Sequence, residues 1–285
     1  MSLHPILITG SKGLLGSELC RQLGQDAVGI DLPEFDITDR GMVARRIEGL
    51  RPRAVINTAA YTAVDRAEDE PNVCWAVNVA GVANLLDACC AVDAKFVQIS
   101  TDYVFGGARL DERRPFCETD VPLALGVYAE SKLEAERLVE DAAGEHLIVR
   151  TSGLYGPAAE HSAGNFVDTM LRLADAGSSI RVVDDQWTVP SYVPHVARAI
   201  AFLVNESHCG TFHVVNFGQT TWYGFAREIF ELLGREVDLT AVSTADYPTR
   251  AWRPAYSVLD GGKYDSLPGR PAMATWQDAL STHLK

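Results

Sequence analysis

Pro5-Ile-Leu-Ile-Thr-Gly-Ser-Lys-Gly-Leu-Leu-Gly16 is the stretch that decides the fold. Its first five residues form a short apolar run of the kind found in a strand buried on both faces. The segment that follows, Leu14–Leu23, spaces its apolar residues as an amphipathic helix does. Between strand and helix, Gly10, Gly13 and Gly16 stand in the spacing GxxGxxG. A diphosphate at a helix N-terminus needs backbone N–H groups brought close, and side chains would block that approach. Gly10 permits the tight turn, Gly13 the close approach and Gly16 the packing of helix on strand. A first strand-to-helix junction is the context this motif requires. Gly10, Ser11, Lys12, Gly13, Leu14, Leu15 and Gly16 are therefore expected to hold a dinucleotide.

Working outward, apolar runs recur at Ala27–Ile30, Arg53–Asn57, Lys95–Ser100 and His146–Arg150. Helical stretches at Arg40–Leu50, Pro71–Ala91 and Tyr128–Ala142 separate them. This alternation predicts an α/β fold, a Rossmann-type doubly wound parallel sheet with helices on both faces. Past residue 150 the pattern loosens. A Gly/Pro-containing loop at Gly153–Gly164 precedes a helix near Asn165–Ala176, then a strand at Cys209–Asn216 and a helix at Tyr223–Leu233. A proline-containing tail, 248–285, ends in the short helix Trp276–Leu284. The expected division is a nucleotide-binding domain over 1–153, with returning segments around 190–219. A smaller C-terminal substrate-binding lobe takes 154–189 and 220–285.

The 285 residues carry 25 Lys plus Arg against 38 Asp plus Glu, a net charge of -13. That field repels nucleic acid and anionic membranes, so neither is an expected partner. A phosphate-bearing ligand must then be held by local basic residues or backbone N–H groups. The visible basic cluster, Arg40, Arg45, Arg46, Arg51 and Arg53, reads as the solvated face of a surface helix and the turn after it. The N-terminus shows no cationic segment followed by an apolar one, and no uninterrupted apolar run reaches eighteen residues. Six cysteines (20, 74, 89, 90, 117, 209) show no CxxC spacing and no zinc pattern with histidine, so they read as reduced thiols. A cytoplasmic protein without a bound metal is expected.

Asp31 ends the second strand, 15 residues past Gly16. A carboxylate there accepts hydrogen bonds from the adenosine ribose hydroxyls, which favours NADH. Lys12 can instead meet a 2′-phosphate, which favours NADPH. Both cofactors stay open.

Tyr128-Ala-Glu-Ser-Lys132 places a phenol and an ammonium four residues apart on one helix face. Carbonyl reduction needs a proton for the developing alkoxide, and a phenol with a pKa of about 10 is a poor acid/base at neutral pH. A nearby cation brings it toward the working range, and Lys132 supplies one. Thr101, at the C-terminal end of the apolar run Lys95–Ser100, stands where parallel sheets put their ligands and can bond a substrate carbonyl. Thr101, Tyr128 and Lys132 are the expected catalytic residues.

These elements resemble the extended short-chain dehydrogenase/reductase family. Ala60-Tyr-Thr-Ala-Val-Asp-Arg-Ala-Glu68, Val77-Asn78, Ile99-Ser-Thr-Asp-Tyr-Val-Phe105, Gly164-Asn-Phe166 and Arg253-Pro254 are similar to its dTDP-4-dehydrorhamnose reductase branch. The resemblance covers nearly the whole chain. It implies reduction of the 4-keto group of a nucleotide-activated 6-deoxysugar by NADPH or NADH. It also implies that Asn57, Ala59 and Ala60 line the cofactor groove and that Asp36 and Ile37 meet the adenine. For the nucleotide-sugar substrate it implies Thr101, Asp102, Tyr103, Val104, Gly153, Asn165, Trp187 and Arg253, the last through a guanidinium suited to phosphate oxygens. Dimers are common in the family, so a homodimer is expected.

Two departures bear on the substrate. Sugar-nucleotide 4,6-dehydratases carry Asp-Glu after the catalytic Thr, whereas Tyr103 follows Asp102 here, so a simple reductase fits better. After Arg150-Thr-Ser the branch commonly has a Trp, and this chain has Gly153. That leaves the reaction type in place and the sugar open, with Trp187 as a compensating aromatic. Trp252 and Tyr256 read as packing residues. Two alternatives remain beside the reductase: a non-catalytic NAD(P)-binding regulatory subunit like that of methionine adenosyltransferase, and a nucleotide-sugar epimerase. His195 and His213 are given no role.

Overall fold

The computed structural model describes residues 4–108, 114–161 and 164–285. The strands are β1 (Ile6–Thr9), β2 (Ala27–Ile30), β3 (Ala54–Asn57), β4 (Lys95–Thr101), β5 (His146–Thr151), β6 (Ile180–Val183), β7 (Gly210–His213) and β8 (Leu239–Val242). Six of them make one sheet in the order β7-β5-β4-β3-β1-β2, parallel throughout. The main helices are α1 (Leu14–Leu23), α2 (Arg40–Leu50), α3 (Pro71–Val92), α4 (Val127–Asp141), α5 (Phe166–Asp175), α6 (Val193–Asn205), α7 (Trp222–Leu233) and α8 (Trp276–His283).

The strands are apolar on both faces because each face is covered. Ile6, Ile8, Ile56, Val97 and Val149 pack under α1 and α6, against Leu15, Leu19, Val196, Ile200 and Leu203. Leu7, Val55, Phe96 and Ile148 face the other way, onto Val43 and Ile47 of α2, Val82, Leu85 and Cys89 of α3, and Ala135 and Val139 of α4. This is the doubly wound arrangement expected from the alternation. By length and composition α3 is long and apolar enough to cross a membrane, although no apolar run of eighteen is visible in it. Here its apolar face is part of the second core.

The chain leaves β1 for β2 on one side and returns to β3 on the other. Strand order reverses there, and in such sheets the crevice at the C-terminal strand ends is where ligands bind. The glycine loop, the β3 end and the β4 end all open onto that crevice.

α6 has no counterpart in the expectations. Pro194 stands in its first turn, a place where proline suits a helix but resembles a breaker in the sequence. A third core joins Tyr155, Val167, Met170, Ile180, Phe225, Ile229, Phe230, Trp276 and Leu280. It forms around α5, α7, α8 and the parallel pair β6–β8. β6 and β8 are four residues each and far apart in the chain, so neither stands out as a strand before it finds its partner.

Ile200 is fully buried between α6 and the sheet. Ile200→Ala is expected to lower unfolding stability by about 2–5 kcal/mol in urea titrations, and a loss below about 1 kcal/mol would show that α6 is not part of the main core.

Candidate active site

At the glycine loop the backbone comes as close as glycine allows. Gly10 has φ +67°, and a Cβ on it would lie 2.6 Å from the Ala59 nitrogen. A Cβ on Gly16 would lie 2.2 Å from the Gly10 carbonyl oxygen and 2.7 Å from Thr58 Oγ1. Thr58 Oγ1 also donates to the Thr9 carbonyl at 2.6 Å, tying the β3 end to the loop. Beside the loop is a cavity of about 430 Å³ lined by Ser11, Lys12, Gly29, Ile30, Asp31, Glu34, Phe35, Met42 and Arg46. Asp31 Oδ2 accepts from the Lys12 N–H at 2.8 Å and Oδ1 from the Leu32 N–H at 2.7 Å. The carboxylate is thus held at the cavity wall with lone pairs to spare for hydroxyl donors. A cradle that excludes Cβ atoms, with a carboxylate-walled cavity beside it, fits the adenosine and diphosphate of a dinucleotide.

Three expected groove residues stand elsewhere. Asn57 is fully buried, accepting from Thr9 Oγ1 at 2.7 Å and donating to Gln98 Oε1 at 2.9 Å, so its amide is spent inside the sheet. Asp36 accepts from the Thr38 N–H and hydroxyl, both at 2.8 Å, as a local turn. Ile37 is buried in the second core against Gly81. Phe35, Ile30 and Met42 provide the apolar lining instead.

Thr101 ends β4; its hydroxyl accepts from the Tyr103 N–H at 3.2 Å and donates to Asp102 Oδ1 at 3.2 Å. Tyr128 lies in the first turn of α4, with its ring edge-on to Tyr103 at 6.0 Å between centroids. Lys132 is one turn further, buried, with Nζ donating to the Ile99 carbonyl at 2.7 Å. The three residues and the glycine loop therefore meet at one end of the sheet.

Burial pushes the Lys132 ammonium down to about 8, with the Glu136 carboxylate acting in the opposite direction. Burial likewise raises the Tyr128 phenol, and Asp102, Tyr103 and Cys74 add to the rise, while the Thr101 hydroxyl opposes it. Proximity of Lys132 was expected to bring the phenol down. Instead Lys132 bonds a backbone carbonyl, and desolvation governs Tyr128.

Several residues that hold this geometry were given no site role from the sequence, although Val77-Asn78 belongs to the family resemblance. Residues Ala76–Ala80 form a π turn within α3, and such turns often mark functional places in helices. The turn carries Asn78, which is buried. Asn78 Oδ1 accepts from the Tyr61 N–H at 2.8 Å, and Nδ2 donates to Ser131 Oγ at 3.0 Å. Ser131 Oγ donates in turn to the Tyr128 carbonyl at 2.7 Å. One amide thus joins the segment after β3 to the first turn of α4. Behind Lys132, Arg150 pairs with Glu136 at 2.7 Å, lies over the Phe105 ring at 5.1 Å and approaches His213 Nε2 at 3.4 Å. Burial, then the Arg150 charge, takes His213 down to about 3, so its ring stays neutral.

Of the expected substrate residues, Asp102 is buried beside Thr101 and accepts from Ser257 of the C-terminal segment. Arg253 Nη2 donates to Asp65 at 2.8 Å while Nη1 is buried with no partner. Gly153 has φ +51°, and a Cβ there would come within 3.3 Å of Val189 and Pro190 and 3.6 Å of the Trp222 ring. Val104 is wholly in the core. Trp187 packs partly buried near Tyr103 and Tyr256. Asn165 is not brought to the cluster: its side chain caps α5, accepting from Val167 N–H at 2.9 Å and Asp168 N–H at 3.2 Å. Trp252, expected to pack, is 57% exposed and donates to the Gly106 carbonyl at 3.2 Å.

Desolvation raises the Asp102 carboxyl from 3.8 to about 6, against the hydrogen bonds from Ser257, Ser152 and Thr101. Between those values the folded chain retains a proton that the unfolded chain has released. Its contribution to stability is therefore full below 3.8 and is lost as pH rises through about 6. Thermal unfolding of Asp102→Asn and the unmodified chain should thus diverge in the variant's favour as pH rises across this window. A difference that stays flat would remove burial as the dominant influence on Asp102.

A family model described as RmlD substrate binding domain matches residues 4–285. The spore coat polysaccharide biosynthesis protein SpsK of Bacillus subtilis (strain 168) is 35% identical over 283 residues, covering 98% of this chain and 96% of that protein. A dTDP-4-dehydrorhamnose reductase of Mycobacterium tuberculosis is 38% identical over 288 residues, covering 98% and 92%. The crystal structure of a dTDP-4-dehydrorhamnose reductase from Bacillus anthracis in complex with NADP superposes with a TM-score of 0.91, at 36% identity and 98% of both chains. A Clostridium acetobutylicum enzyme with the same description superposes equally well, also at 36% identity over 98% of both chains.

Proposed function

The chain belongs to the family described as RmlD substrate binding domain, and from that premise we infer that it is a dTDP-4-dehydrorhamnose reductase. It reduces the 4-keto group of a nucleotide-activated 6-deoxysugar with NADPH or NADH. The observation that carries the reading is the meeting of Thr101, Tyr128 and Lys132 beside the glycine loop at the C-terminal ends of β1, β3 and β4. We divide the chain accordingly into a nucleotide-binding part, 1–153 with segments around 190–219, and a substrate lobe from 154–189 and 220–285.

When bound, the nicotinamide supplies the hydride that the carbonyl carbon accepts. The glycine loop at the α1 N-terminus provides the N–H groups and positive helix end for the diphosphate. Tyr128 gives its phenolic proton to the carbonyl oxygen as negative charge develops there, and is reprotonated from solvent. The pull of burial on that phenol keeps it protonated until the alkoxide forms, which suits a donor in the reductive direction. Lys132, anchored on the Ile99 carbonyl, brings positive charge beside the phenolate left behind. Thr101 stands at the end of β4, where its hydroxyl turns from Asp102 Oδ1 to donate to the substrate carbonyl. Arg253 offers its unpartnered Nη1 to the substrate diphosphate.

The reading is tested by following NADH and NADPH absorbance with dTDP-6-deoxy-L-lyxo-4-hexulose. Rapid oxidation is expected, and Tyr128→Phe should lower kcat by about 10²–10⁴-fold with a much smaller effect on KM. Undiminished turnover in Tyr128→Phe, or silence across a panel of nucleotide 4-keto-6-deoxysugars, would end the assignment.

A further inference from the structure

The cavity beside the glycine loop contains a charge arrangement that the sequence does not disclose. Lys12 is the cation expected to meet a 2′-phosphate, yet its Nζ lies 3.7 Å from Glu34 and 3.7 Å from Glu160, and it bonds the Leu32 carbonyl at 3.4 Å. Its charge is already divided between two carboxylates. Arg46 lines the same cavity, one helical turn after Met42, which also lines it. Two arginines of this basic cluster are engaged, Arg40 with Asp87 at 3.1 Å and Arg53 with Asn205 at 2.8 Å, and Arg46 is the member that lines the cavity. Among the described residues Arg46 has no ion-pair or hydrogen-bond partner. Arg46 is exposed on α2 and borders the cavity, so its charge is uncommitted and open to a ligand there.

Asp31 and Glu34 are acidic residues in the wall of this cavity, in a chain of net charge -13. A second phosphate entering there meets repulsion unless a cation with uncommitted charge faces it. A planar guanidinium supplies that charge and two parallel N–H donors for phosphate oxygens. Asp31 is held by two backbone N–H groups and serves the ribose hydroxyls of the other cofactor form. We propose that Arg46 is the residue through which this chain accepts the 2′-phosphate of NADPH, so that the opposed pair Asp31 and Arg46 sets its choice between the two cofactors. The proposal deepens the functional reading above and rests on its assignment of this groove to the cofactor.

Calorimetric titration of the full chain with 2′,5′-ADP and with 5′-AMP isolates the 2′-phosphate from the nicotinamide chemistry. Arg46→Ala should lower the ratio of affinities for 2′,5′-ADP over 5′-AMP by about tenfold, the loss of one charge-assisted phosphate contact. Arg46→Lys should retain part of it, and added salt should shrink the difference. An unchanged ratio in Arg46→Ala, including an equal fall for both nucleotides, would overturn the assignment. Failure of both nucleotides to bind the unmodified chain would remove the cofactor groove itself, and binding of 5′-AMP without 2′,5′-ADP would overturn the role of Arg46. Binding of both without NAD(P)H oxidation would strike the reductase reading and leave Arg46 standing.

Discussion

The close approach of α1 to β1 and β3 is the constraint from which the rest of the molecule follows. A Cβ at Gly16 would overlap the Gly10 carbonyl oxygen, and one at Gly10 would overlap the backbone of Ala59. Because neither atom exists, the α1 N-terminus can stand directly over the point where strand order reverses, with Thr58 bonding back to Thr9 across it. A helix end with free N–H groups at that place is a site for phosphate before any side chain is considered. α1 in turn packs on α6, which brings the chain back to the sheet so that β7 can add to its edge beside β5.

Around this point the structure keeps its charges in controlled environments. Lys132 bonds the Ile99 carbonyl, and its burial away from water makes its ammonium give up a proton more readily than in water. The nearest buried anion on its helix, Glu136, is neutralised by Arg150, which itself rests on the Phe105 ring. This buried pair lets β5 and α4 pack face to face without exposing an unpaired charge to the apolar core. On the substrate side, Ser257 bonds the buried Asp102, and Asp65 accepts from both the Ala251 N–H and Arg253. The C-terminal segment is thereby fastened to the strand ends that carry Thr101.

Side chains whose type suggests a ligand can be committed elsewhere by the fold. The family resemblance implies ligand roles for Asn165 and Asn57, but each meets backbone or side-chain partners nearby that engage its amide. Conversely, Arg46 reads as one more surface cation in a basic helix until α2 is seen to turn it toward the cavity wall. Asn78 gains its place from a π turn, a change of helical phase that hydrophobic periodicity does not reveal. Such assignments depend on which groups are neighbours in space, and most of those pairs lie tens of residues apart.

The features legible in the chain before folding are local or periodic. The glycine spacing, the doubly apolar strands, their alternation with helices, and the four-residue step from Tyr128 to Lys132 all follow from steric and periodic rules that act within a few residues. These were enough for the α/β class and for the group of residues gathered at the strand ends. The helix α6 under the sheet, the pairing of β6 with β8, the Asn78 clamp, the sharing of Lys12 between Glu34 and Glu160, and the place of Arg46 beside the cavity emerge only with packing. The physical reason is that a buried polar group or an ion pair takes its meaning from its partner, and partners are chosen by packing between distant segments.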